Sequence, residues 1–204
     1  MRIHSQDFDN GAPLPAAFAL GAAEGFGGNR NPQLAWDEVP AGAQSFALLC
    51  IDPDAPTVAE TVGRHDLEIP LDQPRGDFVH WAMADLPADL RSLAAGSCSD
   101  GVTAHGKRQP PGPAGARQGL NGYTGWFAGD AAMGGDWFGY DGPYPPFNDA
   151  RVHRYFFRLF ALDVAALDLP ARFTAADVLR AIQGHVLAEA AVHATYTLNP
   201  RLRA

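Results

Sequence analysis

Lysine is almost missing from this chain: Lys107 is the only one, and arginine carries the rest of the positive charge. We read this as the compositional habit of a GC-rich bacterial genome, without functional content. Cysteine is scarce as well. Cys50 and Cys98 are too few for a disulfide framework, and both read as free thiols, Cys50 inside an apolar strand pattern. No apolar run approaches the roughly 18 residues that a membrane-spanning helix needs. The opening Met1–Asp7 lacks the apolar core of a secretory signal, so the expected location is cytoplasmic. Positive charge is in deficit overall, with a formal net charge of -8. That argues against nucleic acid and anionic membranes as partners, and any bound anion must be held by a local site working against the global field. No Gly-x-Ser-x-Gly occurs, which removes the usual nucleophile elbow of serine hydrolases.

What is present suits a packed core. The 204 residues are 47% hydrophobic and 19% charged, a composition that argues against disorder and fits one domain over 1–204. Ser45–Ile51 is nearly all apolar and reads as a strand buried on both faces, ending at Asp52-Pro53-Asp54-Ala55-Pro56. Gln33–Trp36 suits a shorter strand. Residues 58–76 are polar and irregular, a surface excursion. Asp77–Ala84 reads as a strand with Phe78, His80 and Ala82 on one face and Val79, Trp81 and Met83 on the other.

Gly101–Gly142 is rich in Gly and Pro and predicts a long loop. Its aromatics, Tyr123, Trp126, Phe127, Trp137, Phe138 and Tyr140, suit packing over a sheet or the rim of a pocket. Gly142-Pro143-Tyr144-Pro145-Pro146 cannot be helical, because its prolines lack N–H donors and push the residues before them extended. This stiff lip leads into His153–Leu162, a strand whose period of two puts His153, Tyr155, Phe157, Leu159 and Ala161 on one face. Near the C-terminus, Thr174 as N-cap and Asp177 in the first turn start a helix. Leu179, Ile182, Val186 and Ala190 follow at helical spacing, with Gly184 and a structural His185 inside it. Tyr196–Leu198 reads as a short last strand.

The candidate polar groups are Asp52 and Asp54, His80, and His153 with Tyr155, each in or at the end of a hydrophobic strand pattern. A carboxylate there needs partners, and imidazoles supply them. Two imidazoles favoured in their charged form by a carboxylate suit an anion, or a zwitterion whose cation meets Asp52. The structural alternatives are turn capping by Asp52 and Asp54 and a core histidine at His80.

The three motifs together, Asp52-Pro53-Asp54-Ala55-Pro56, Phe78-Val79-His80-Trp81, and Gly142–Pro146 followed by His153-Arg154-Tyr155, resemble the phosphatidylethanolamine-binding protein family, and its bacterial Raf-kinase-inhibitor-like branch above all. The resemblance runs from Asn31-Pro32 to Tyr196, taking in Gly184–Ala188 as part of the helix. It implies a mostly β, antiparallel β-sandwich with long Gly/Pro-rich loops and a C-terminal helix. It also implies a pocket for phosphate-like groups, including phosphoethanolamine, at Asp52, His80, Gly142, Pro143, His153 and Tyr155. Asp54 joins these as a candidate ligand-binding residue from the same Asp-Pro-Asp motif. The family pattern makes Ala55–Pro56 a candidate cis bond and allows a homodimer. Tyr144 departs from it, since bacterial relatives often carry a small residue or Cys there, and the 58–76 excursion is longer than in the shortest relatives; both bear on ligand size.

The expected function is therefore non-catalytic binding of a small anionic or zwitterionic ligand, with no cofactor and an unknown protein partner. His80 and His153 are expected to donate to the anion, with a backbone donor near Gly142 and the Tyr155 hydroxyl. Two alternatives stand beside it. One is a metal-dependent enzyme using two His and one Asp. The other is a kinase- or protease-inhibitor-like regulator that meets its partner through the aromatic 120–147 loop, with Trp137 as a contact.

Overall fold

A computed structural model describes residues 1–203. In chain order the strands are β1 (Arg2–His4), β2 (Gly21–Ala22), β3 (Gly25–Phe26), β4 (Leu34–Asp37), β5 (Ser45–Pro56), β6 (Arg75–Pro87), β7 (Ser92–Leu93), β8 (Arg117–Gln118), β9 (His153–Leu162) and β10 (Val186–Tyr196). The helices are α1 (Tyr123–Trp126) and α2 (Ala175–Ala181). The strands form a five-stranded sheet in the order β10-β9-β5-β6-β8, a three-stranded sheet β1-β4-β7 and the small β2-β3 pair, with every pairing antiparallel. Strand β5 lies at the centre of the large sheet, and that position demands the near-continuous apolar run that the sequence supplies there.

The centre of the large sheet is buried on both faces. On one, Phe46, Leu48, Cys50, Phe157 and Leu159 pack against Ile3, Leu34 and Trp36 of the small sheet. On the other, Ala47, Leu49, Phe160 and Leu162 are covered by α2 and the segment before it, through Phe173, Val178 and Ile182. Tyr123 and Trp137 of the long Gly/Pro-rich loop pack with Leu20 in a separate small core.

Several expectations need correction. Strand β5 does not stop at Ile51 but runs on through the Asp-Pro-Asp-Ala-Pro motif. Its register with β6 shifts between Asp52 and Ala55, so the proline without an N–H falls where the ladder is already broken. The Ala55–Pro56 bond is trans, as no peptide bond among the described residues is cis. A second shift, between Cys50/Trp81 and Ile51/Val79, breaks the alternation in β6. Trp81 and Met83 join the main core with Tyr155, whereas Val79 and Ala82 pack on the α2 side. His80 and Trp81 therefore do not point to opposite faces as strict alternation requires.

The C-terminal helix is shorter than its spacing suggests. Thr174 and Asp177 form a reciprocal capping box, but the helix ends at Ala181. Gly184, far from being interior to it, sits in the following turn at φ +82°, a conformation that glycine adopts without penalty. His185 lies in that turn. Val186 and Ala190 belong to β10, where pairing with β9 overrides helical spacing, and Val186 is exposed. Tyr196 closes this long strand instead of opening a short one. The 58–76 excursion is tied down as well: Ile69 is fully buried and bridges to Asp149.

Candidate functional site

Three strands of the large sheet bring their polar residues to one end. Asp52 from β5, His80 from β6, and His153 with Tyr155 from β9 line one cavity of about 110 Å³. That is well below the roughly 300–1,000 Å³ of pockets for drug-sized ligands, so a small polar group is what it can engulf. The rest of its lining is largely apolar, with Pro56, Val62, Phe78, Trp126, Tyr144 and Pro146 among it.

The two histidines play opposite parts. His153 is 1% exposed and held between two carboxylates, Nδ1 at 2.7 Å from Asp52 Oδ2 and Nε2 at 3.0 Å from Asp149 Oδ2. Carboxylates only accept, so both ring nitrogens carry protons. Burial opposes that charge, but hydrogen bonds and charge interactions with Asp149 and Asp52 push the His153 pKa up to about 9. Asp149 is in turn gripped by the Arg75 guanidinium, with Nη2 at 3.0 Å from Oδ1. Its pKa falls despite burial, because His153 and Arg75 favour the anion.

His80 has no carboxylate partner. Its Nδ1 lies 2.8 Å from the carbonyl oxygen of Asp141, which fixes the ring proton on Nδ1. Burial drives its pKa below the usual value, outweighing the pull of Asp52 and the Asp141 carbonyl. The ring is packed by Phe78 at 5.0 Å, Tyr155 at 5.1 Å and Tyr123 at 5.6 Å between centroids. His80 Nε2 and the Tyr155 hydroxyl are both buried without a hydrogen-bond partner. Burial holds Tyr155 protonated. Two unsatisfied polar atoms at the wall of one cavity are costly unless something occupies it.

The other sequence candidates stand behind the wall. Asp54 is turned away from the cavity, and its carboxylate is held by Arg154 Nε at 2.8 Å and Arg151 Nη1 at 3.2 Å. These arginines lower its pKa against the effect of burial. Gly142 and Pro143 are structural to the lip. The Gly142 N–H donates to Asn29 Oδ1 at 2.8 Å and its carbonyl accepts from the Tyr123 hydroxyl at 2.7 Å, so the expected free backbone donor is already committed. A Cβ on Gly142 would fall 2.1 Å from the Phe18 carbonyl oxygen, which explains the glycine. The Pro143 carbonyl accepts from Gly21 N–H at 3.0 Å. His153 likewise has no N–H left to give to an anion.

Sequence reasoning missed two residues. Asp149 precedes His153 in a loop where an aspartate is commonplace, and only the fold reveals its contact. Asp141 is fully buried; its carboxylate takes up Lys107, Asn29 Nδ2 at 2.7 Å and Asn121 Nδ2 at 2.8 Å, while its backbone carbonyl orients His80. Burial raises the Asp141 pKa against the pull of Lys107. Aspartates beside the cavity would repel an anion if they were uncompensated. Asp52, Asp54 and Asp149 are matched by protonated His153, Arg75, Arg151 and Arg154, which leaves one positive charge in excess. As for a metal, both His153 nitrogens are spent on carboxylates, and no group of three His, Cys, Asp or Glu has metal-holding geometry among the described residues.

A sequence model of the family described as phosphatidylethanolamine-binding protein matches residues 4–197. A UPF0098 protein of Methanothermobacter thermautotrophicus is 34% identical over 196 residues, 96% of this chain and 98% of that one. UPF0098 protein YbhB of Escherichia coli is 32% identical, with 97% of this chain and 100% of YbhB covered. Among solved structures, Escherichia coli YbcL superposes with a TM-score of 0.70 at 24% identity, over 96% of this chain and 97% of that one. The Chlamydia trachomatis protein CT736 does so with a TM-score of 0.64 at 28% identity, over 96% and 95%.

Proposed function

The chain belongs to the phosphatidylethanolamine-binding protein family, and from that premise we propose that it binds a small phosphoryl-bearing ligand, anionic or zwitterionic, without transforming it. The observation that carries this reading is the pair of buried, unpartnered polar atoms on the cavity wall, His80 Nε2 and the Tyr155 hydroxyl. A phosphoryl group answers both, with an oxygen for the Tyr155 proton and a P–O–H hydroxyl for His80. The excess positive charge behind the wall favours an anion. Among the described residues no Ser, Thr, Cys or Lys lines the cavity, and Asp52 and His153 are bound to each other, an arrangement that suits binding. The apolar mouth takes whatever the phosphoryl group is attached to, and its aromatic rings suit an organic cation in a zwitterionic head group.

The test is calorimetry with phosphoethanolamine on the wild-type protein and on Tyr155→Phe, which keeps the ring and removes only the hydroxyl. A hydrogen bond to a charged group contributes about 1.5–3 kcal/mol, so affinity should fall roughly 10- to 150-fold. Wild-type protein that gives no heat, or a Tyr155→Phe variant that binds equally well, contradicts the assignment.

The partner-regulator reading keeps one observation in its favour. Phe26, Trp126 and Tyr144 are exposed, and Trp126 and Tyr144 stand at the cavity mouth. Trp137 drops out of that surface because it is fully buried.

A further inference from the structure

We propose that the cavity selects tetrahedral anions that bring a proton of their own, taking singly protonated phosphoryl groups such as phosphate monoesters, phosphonates and inorganic phosphate, and discriminating against sulfate. The inference rests on the phosphoryl-site reading above and adds the protonation state of what is bound.

The Asp141 carbonyl can only accept, so the 2.8 Å contact to His80 Nδ1 consumes the one proton of a neutral imidazole. Nε2 is then a lone pair without a partner, on a residue of the cavity lining. The ring has no carboxylate in contact, and Phe78, Tyr123 and Tyr155 surround it with aromatic surface. This is the setting that burial keeps uncharged, in contrast to His153 between its two aspartates. Among the described residues the only other buried polar atom of the lining without a partner is the Tyr155 hydroxyl, which supplies one proton. Every other titratable group facing the ring is committed. Asp52 and His153 are bound to each other from β5 and β9, the Tyr123 hydroxyl donates to the Gly142 carbonyl, and the Asp141 carboxylate is held by Lys107, Asn29 and Asn121.

An anion made only of acceptors satisfies Tyr155 but sets an oxygen lone pair against the lone pair of His80 Nε2. A P–O–H group donates to Nε2 and accepts from Tyr155 at once. Moving that proton onto Nε2 gives an imidazolium beside a dianion, with the same atoms and the same total charge, so the complex holds one ligand-derived or solvent-derived proton in either description. A phosphate monoester loses its second proton near pH 6. Above that pH the protein must therefore draw one proton from solvent for each ligand bound. Sulfate has no such proton to bring at neutral pH.

The experiment is calorimetry on the intact chain with inorganic phosphate, phosphoethanolamine and sulfate at about pH 6.5 and pH 8. Each titration is run in two buffers of different ionisation enthalpy, so that proton uptake is read directly. Phosphate and phosphoethanolamine should bind at least about tenfold more tightly than sulfate. Phosphoethanolamine affinity should fall about tenfold per pH unit above pH 7, with uptake of close to one proton per ligand at about pH 8, whereas inorganic phosphate keeps one P–O–H at that pH and should bind with far less uptake. In His80→Gln, whose amide can donate as well as accept, the phosphate-to-sulfate ratio should collapse towards one. Should that variant fail to fold, the two-buffer comparison on the wild-type protein decides alone. Equal affinity for sulfate, or phosphoethanolamine binding at about pH 8 without proton uptake, overturns the proposal while leaving the phosphoryl site standing. Absence of binding by any of the three overturns both.

Discussion

Raising the pH from about 6 to about 10 should strip the fold of the stabilisation stored at His153. Its pKa is about 9 in the folded protein against 6.5 for an ordinary histidine. A folded-state pKa raised in this way gives stability that is fully present below pH 6.5 and is lost as pH climbs through 9. At about 1.4 kcal/mol per unit the difference amounts to about 3 kcal/mol. The physical source is the pair of carboxylates at 2.7 and 3.0 Å, which hold a proton that an unfolded histidine releases. For a domain of this size that loss corresponds to a fall in Tm of roughly 6–12 °C. Urea unfolding across this pH range measures it, provided that a control removes other alkaline titrations, because burial also raises the pKa of Cys50 and Tyr155. Asp149→Asn is that control. It leaves His153 only one carboxylate, so its stability should decline less between pH 6.5 and 9 while its response at higher pH stays the same. Parallel curves for wild type and variant, or a wild-type curve flat up to pH 9, would refute the reasoning.

Other perturbations follow from the same geometry. Lys107→Met removes the cation from a fully buried Asp141 carboxylate and should cost about 3–5 kcal/mol. Imidazole ¹⁵N spectra should then show His80 losing its fixed Nδ1–H tautomer, a change that simple destabilisation does not produce. Tyr144→Ala trims a 43%-exposed ring at the cavity mouth; stability should change by less than about 1 kcal/mol, and phosphate monoesters with bulkier substituents should gain affinity in a competition assay. Gly142→Ala must displace the Phe18 carbonyl, 2.1 Å from the new methyl group, and should lower thermal stability and phosphoethanolamine affinity together.

The parts of this molecule written in local pattern were legible in its sequence. The doubly buried centre of the sheet shows in the unbroken apolar run Ser45–Ile51, and the period of two in β9 places His153 and Tyr155 on one face. The start of α2 shows in its capping residues, Thr174 and Asp177. What was not legible depends on pairing between distant segments. The apolar spacing of Ile182, Val186 and Ala190 suits a helix until β9 claims the last two residues for β10. The bulge opposite Cys50 and Ile51, which reverses the faces within β6, leaves no mark in β6 itself. The candidate site divides in the same way. Asp52, His80, His153 and Tyr155 could be gathered from motifs, but the proton inventory could not. Whether a histidine donates or accepts depends on Asp149 and on the Asp141 carbonyl, neither of which belongs to a recognisable strand pattern. Asp54 looked equivalent to Asp52 in sequence, yet being two residues apart did not give it the same environment, because the ladder is irregular there.

The most direct measurement of the central claim is the imidazole ¹⁵N spectrum of the wild-type protein titrated with phosphoethanolamine near neutral pH. The His80 Nε2 resonance should move from the unprotonated towards the protonated, hydrogen-bonded range, while both nitrogens of His153 stay as they were, already protonated. A ligand that shifts His153 and leaves His80 Nε2 untouched would contradict the account.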